Sequence, residues 1–184
     1  MISNALRTDI EAWTGRKHQN ALFAAASAGQ LTKPMVTRYI ANVTQMIRLT
    51  CPNLELARDG ARARGDEPLA HHYQVKFDEE LGHAVWGESD LESLTSLSAA
   101  PDTSITPAFR ELAALLVRGI AEDPSTYLCY LAFTEYVTAL VGPEFLEIVE
   151  GRCGVPRSSM TVIVEKIAVK SRIMVIVPGK KYWR

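Results

Sequence analysis

Apolar residues recur along the chain at intervals of three and four, so the elements they predict are helices. From about Ser3 to Gly29 there is no proline, and Leu6, Ile10, Trp13, His18, Leu22 and Phe23 fall on or near one face. That pattern predicts a first long helix ended by Gly29. Thr32 ahead of Pro34 marks the next start, a cap residue followed by an early-turn proline. Val36, Tyr39, Ile40, Val43, Met46 and Ile47 continue at helical spacing, and Cys51-Pro52 predicts a kink or break before Leu54 and Leu56. Asp59 to Pro68, with Gly60 and Gly65, reads as a turn. A third helix from near Pro68 carries Leu69, Tyr73, Phe77, Leu81, Ala84 and Leu91 inward. The Ser-, Thr-, Pro- and Ala-rich stretch from about Ser93 to Pro107 is the longest internal connection. A fourth helix runs from about Pro107 to Ala121. Asp123-Pro124-Ser125 stops it and starts a fifth, which reaches Gly142-Pro143 and continues past that kink from Phe145 to Val149. With no internal repeat of about 20 to 50 residues and no strand-helix alternation, the body is an all-α bundle.

The end of the chain breaks the pattern. Val162-Ile163-Val164 and Ile173-Met174-Val175-Ile176-Val177 are β-branched runs that predict short strands. Charge changes at the same place: residues 1–161 hold 14 basic and 20 acidic residues, residues 162–184 six basic and one acidic, Glu165. Two regions are therefore expected, a helical domain over 1–161 and an atypical basic tail over 162–184.

Composition narrows the function classes. The 184 residues are 47% hydrophobic and 22% charged with a net charge of -1, enough apolar material for a core and too little positive charge to draw nucleic acid. No apolar run approaches the roughly 20 residues that span a bilayer, and the opening MISNALRTDIEAW carries acids where a signal peptide would be apolar. A cytoplasmic protein with no membrane partner is the expectation. Cys51, Cys129 and Cys153 lie far apart, as reduced thiols do.

The chemistry concentrates in Glu79-Glu80-Leu81-Gly82-His83. On a helix Glu80 and His83 are neighbours on one face. Tyr73, Phe77, Glu80 and Ala84 step by four, three and four, so Glu80 stands among core-facing positions. A carboxylate buried there must protonate, pair or bind a cation. Glu-x-x-His on an inward face is also how helical bundles hold iron or manganese. The plainer reading is a surface charge run with His83 packing locally. In the fifth helix Leu128, Leu131, Ala132, Glu135, Ala139 and Gly142 form one stripe whose single charged member is Glu135. Two carboxylates and one imidazole suit ferrous iron or manganese, with open positions for dioxygen. Otherwise Glu135 pairs with Arg48 or a tyrosine hydroxyl. His18, His71 and His72 read as structural or solvated, Asp90 as an orienting group for His83 or a helix cap, and Cys129 as a buried thiol.

The helix order, His18 before Leu22-Phe23, the Thr32-Lys33-Pro34 start, EELGHAVWGESDLESL and TEYVTALVGPEFL together resemble the haem-oxygenase-like superfamily over about residues 5 to 155. Within it the chain looks most like the haem-oxygenase-like diiron oxidases, with TenA-type thiaminases and PqqC-type oxidases as more distant relatives. The resemblance implies that Glu80, His83 and Glu135 are metal ligands to mononuclear or dinuclear ferrous iron. It implies a homodimer that activates dioxygen on a small amino-acid-like, fatty-acid or amine substrate. It also calls for a further helix with a His, an acid and another His, and after Met160 this chain has no histidine. Three accounts of that ending stand side by side: a tail replaced through a shifted reading frame, a degenerate relative kept for binding or assembly, or a site for one iron completed by water and substrate. The alternatives to an oxidase are a TenA-like or PqqC-like metal-free enzyme with Cys129 as nucleophile and a non-catalytic dimeric module.

Overall fold

A computed structural model describes residues 4–97 and 101–175. Those residues form α1 (Asn4–Gly15), α2 (Ala21–Ser27), α3 (Lys33–Ala63), α4 (Glu67–Glu80), α5 (Ala84–Ser96), α6 (Pro107–Glu122), α7 (Ser125–Cys153) and α8 (Thr161–Val175), with 3-10 turns at Lys17–Gln19 and Arg157–Ser159 and no strand among them. The all-α expectation holds. None of the described helices is long and apolar enough to cross a membrane.

Side-chain caps set most of the starts. Asn20 accepts from the Leu22 and Phe23 amides at the head of α2, Thr32 from Met35 at α3, Asp66 from Leu69 at α4 and Thr106 from Phe109 at α6. The Asn20 cap is why the single helix expected to Gly29 is broken: the chain ends α1 at Gly15, makes a 3-10 turn and restarts. Proline has the opposite history. Pro52 and Pro143 both lie inside continuous helices, so no break occurs at Cys51-Pro52 and α3 runs on to Ala63, through the first half of the stretch read as a turn. Leu54, Ala57 and Ala61 beyond Pro52, and Phe145, Leu146 and Val149 beyond Pro143, are buried, and that packing outweighs one missing backbone hydrogen bond.

Two apolar clusters form the core. One gathers Phe23, Ile40, Leu94, Phe145, Val149 and Val162 among others, joining α2, α3, α5, α7 and α8. The second joins α3, α4, α6 and α7 through Leu54, Tyr73, Leu116, Ile120 and Tyr127. Tyr73 is fully buried and donates its hydroxyl proton to the Pro124 carbonyl at 2.6 Å, tying α4 to the start of α7.

Two corrections fall near the expected site. The third helix does not run to Leu91. It ends at Glu80, and Leu81, placed inward by the pattern, is 65% exposed. Gly82 sits at φ +85, a conformation that a residue with a Cβ rarely adopts, and the chain turns there before α5. The second correction is the tail. Residues 161–175 form α8, so the strand expected at Val162-Ile163-Val164 is helix, as is Ile173 to Val175; Ile176 and Val177 lie outside the described residues. The reason is a long-range cap. The Thr161 and Val162 amides donate to the two carboxylate oxygens of Asp90, 2.7 Å each, and Val162 and Ile163 enter the core. Burial and that cap override a modest β preference. Gly142 lets α8 close on α7, since a Cβ there would stand 2.7 Å from Ile167 Cδ1.

Candidate functional site

Between α2, α3, α7 and α8 lies a cavity of about 400 Å³. Its walls are mostly apolar, with Phe23, Val43, Ile47, Val141, Phe145 and Ile163 among them, and Glu80, Glu135, Lys17, Lys166, Tyr39 and Tyr130 supply the polar edge. Size and composition match a small-molecule site. Glu80 and Glu135, singled out as isolated inward acids, therefore line one chamber.

Glu80 closes α4 and His83 precedes α5, so the pair meets across the Gly82 turn rather than along a helix face. Glu80 Oε2 lies 3.0 Å from His83 Nδ1. Both atoms also face α8: Lys166 Nζ forms an ion pair with Glu80 Oε2 and stands 3.0 Å from His83 Nδ1. An ammonium can only donate. His83 Nδ1 either accepts from Lys166, with the ring proton on Nε2, or carries its own proton and donates to Glu80. The imidazole is fixed on its other side by stacking on Trp86, 4.3 Å between centroids and 20° between planes. The Glu80 side chain is only 6% exposed, so this is a buried charge with its partner in place.

Glu135 meets a second lysine. Lys76 Nζ on α4 is 3.4 Å from Glu135 Oε1 and 2.8 Å from Glu79 Oε2. Burial works to lower the pKa of that ammonium, and the charges of Glu135 and Glu79 with their hydrogen bonds together outweigh it, leaving it above the ordinary lysine value. Arg48, the partner first considered for Glu135, binds Glu88 instead, at 2.8 Å. The lining Lys17 pairs with Glu144, which lies outside the lining. Tyr39 and Tyr130 contrast with these pairs. Their hydroxyls make no hydrogen bond among the described residues, and burial pushes both up to about 12.

The donor set does not fit iron. A metal needs several oxygen and nitrogen donors free to converge within about 2.0–2.2 Å. Among the described residues no group of three His, Cys, Asp or Glu side chains is placed to do this. Glu80 and His83 face Lys166, and Glu135 faces Lys76, so the proposed ligands are engaged by cations of the chain itself. The resemblance calls for a further helix with three more ligands, and the helix that follows α7 here, α8, brings Lys166 to the cavity.

The remaining candidates fall away from the cavity. Cys129 is exposed on α7 and is not part of the lining, which corrects the buried thiol and removes the nucleophile of the TenA-like reading. The Cys51 thiol is pushed up by burial and by the charges of Glu80 and Glu55, against a smaller opposing pull from Lys166. Asp90 caps α8 and so steers Lys166, not His83. His18 packs edge-on against Phe23, 5.3 Å between centroids, and His72 is held low by burial. Lys166 and Lys76 were missed from the sequence because a lone lysine in a helix pattern carries no signal of the carboxylate it will face.

No family model matches the chain, and no curated protein matches it. Among solved structures it is similar to a domain of unknown function with a haem oxygenase-like fold from Shewanella denitrificans. The two share 18% sequence identity and a TM-score of 0.68 over 98% of this chain and 81% of that one. At that identity the likeness concerns the course of the backbone alone. The chain has a haem-oxygenase-like fold.

Proposed function

We propose that the chain binds a small, mostly apolar and uncharged molecule in the cavity between α2, α3, α7 and α8, oriented by the hydroxyls of Tyr39 and Tyr130. The observation that carries this reading is the pairing inside the cavity wall. Each lining carboxylate faces a lysine: Glu80 has Lys166 and Glu135 has Lys76, which it shares with Glu79, while the lining Lys17 has Glu144. A charged ligand would have to break one of those pairs in a low-dielectric setting, whereas an uncharged one meets apolar walls and two tyrosine hydroxyls with hydrogen-bonding capacity to spare. Oxygen activation at iron, the activity implied by the family resemblance, is not adopted because its ligand positions are committed to lysines.

The test uses Nile red, a neutral apolar dye whose emission rises on leaving water. Saturable one-site binding is expected, weakened about tenfold or more by Thr138→Trp or Val43→Trp, which fill the cavity from α7 and α3. Tyr39→Phe and Tyr130→Phe should leave dye affinity within about threefold while lowering affinity for 2-naphthol, a neutral probe with a hydroxyl. Absence of saturable binding, or equal binding by both filled variants with unchanged thermal melts, overturns the reading.

A further inference from the structure

The polar corner at Glu80 has an arrangement that apolar ligand binding does not require. A carboxylate and an imidazole converge on one point, and the chain places an ammonium at that point from a helix 83 residues further on. We propose that Lys166 is a tethered cation that takes a metal ion's place between Glu80 and His83 and makes this bundle refuse divalent metals.

Three observations support it. Lys166 Nζ touches both prospective donors, Glu80 Oε2 and His83 Nδ1, so no ion can reach both without displacing it. Displacement is unfavourable, because α8 is anchored by the Asp90 cap and by buried Val162 and Ile163, and a displaced ammonium would be left against an apolar wall. The acid across the cavity, Glu135, is held by Lys76 and gives no third donor. A single positive charge on a flexible stem satisfies the carboxylate by hydrogen bonding and imposes no coordination geometry. The same two side chains without it would present a half-built oxygen and nitrogen site.

The substitution Lys166→Glu tests this directly. A glutamate carboxylate stops short of the lysine Nζ, leaving about a metal's width between itself, Glu80 and His83, and completing a set of two carboxylates and one imidazole. The probe is cobalt(II), followed by equilibrium dialysis and by its visible absorption bands. Wild type should retain cobalt only weakly above a protein-free blank and show no new band. Lys166→Glu should bind about one equivalent at least about tenfold more tightly than wild type, with a visible band that His83→Ala abolishes in the same background. Lys166→Met, which removes the charge without adding a donor, should fall between the two and decides the matter if Lys166→Glu does not fold. Cobalt bound by wild type with a band sensitive to His83→Ala overturns the proposal, as does a folded Lys166 variant no better than wild type. Dye binding by the cavity is read separately, so failure here leaves the ligand reading untouched.

Discussion

Glu80 and Glu135 are both carboxylates at one cavity and both face a lysine, yet the two corners are built differently. Glu80 is 6% exposed and shares its lysine with a stacked imidazole, and that lysine comes from a helix held by a distant cap. Glu135 is 17% exposed, and Lys76 divides its attention between it and Glu79, half exposed one turn further along α4. The Glu80 carboxylate is the drier of the two acids, while its lysine, 17% exposed, is less buried than Lys76 at 10%, and the second corner is shared with Glu79. Removing a cation should therefore cost more at Glu80, whose carboxylate is the more desolvated, than at Glu135, where solvent reaches the acid.

The largest expected effect follows from that contrast. Lys166→Met takes the ammonium from the buried Glu80 carboxylate and leaves it His83, and should destabilise the fold by about 3–5 kcal/mol, with Glu80→Gln in the same chain recovering most of it. Lys76→Met should cost about 1–2 kcal/mol, since Glu135 keeps some solvent. Urea denaturation of the four chains reads this. Equal losses at the two lysines would erase the distinction between the corners.

Next in size is the support behind Lys166. Asp90 is 1% exposed and its two oxygens hold the first amides of α8, so Asp90→Ala leaves one buried and one part-buried N–H group unmet and should cost about 2–4 kcal/mol, with Asp90→Asn recovering part through its one acceptor oxygen. The damage should be directional. Amide exchange should speed up at Thr161 and Val162 and through α8, while the amides of α4 around Lys76 keep their protection. Uniform acceleration across both helices would mean that Asp90 serves the whole fold rather than one corner.

The asymmetry also explains what could be read from the sequence. Glu80, His83 and Glu135 stood out because each breaks an apolar stripe, and a buried acid announces that a cation is near. Its identity did not follow, because Lys166 arrives in a β-branched run whose own preference points to a strand. What turns that run into α8 is Asp90, 71 residues earlier, together with the glycine contact at Gly142. Local pattern carried the helices capped at Thr32, Asp66 and Thr106, though not α2, whose equally local cap at Asn20 it ran through. It failed where the cap lies on another helix, and where packing on both sides of Pro52 keeps α3 whole.

The smallest expected effect concerns the Glu135 corner and is read by pH. The Lys76 ammonium has its pKa raised in the folded chain: burial works against it, and Glu135 and Glu79 more than compensate. A raised folded value means that the stabilisation is fully present below the ordinary lysine pKa and is lost as pH climbs through the folded one, because the unfolded chain releases its proton first. Wild type and Lys76→Met should therefore differ most near neutral pH and converge as the pH rises beyond about 10.5. Tyr39 and Tyr130, pushed up to about 12, destabilise the fold over the same range by the same sign of linkage. Both chains carry them, so they cancel in the difference between the two urea midpoints. A gap that stays constant from neutral to strongly alkaline pH would show that Lys76 contributes through its methylene stem and not through its charge, leaving Glu80 as the one corner where an internal cation holds the fold.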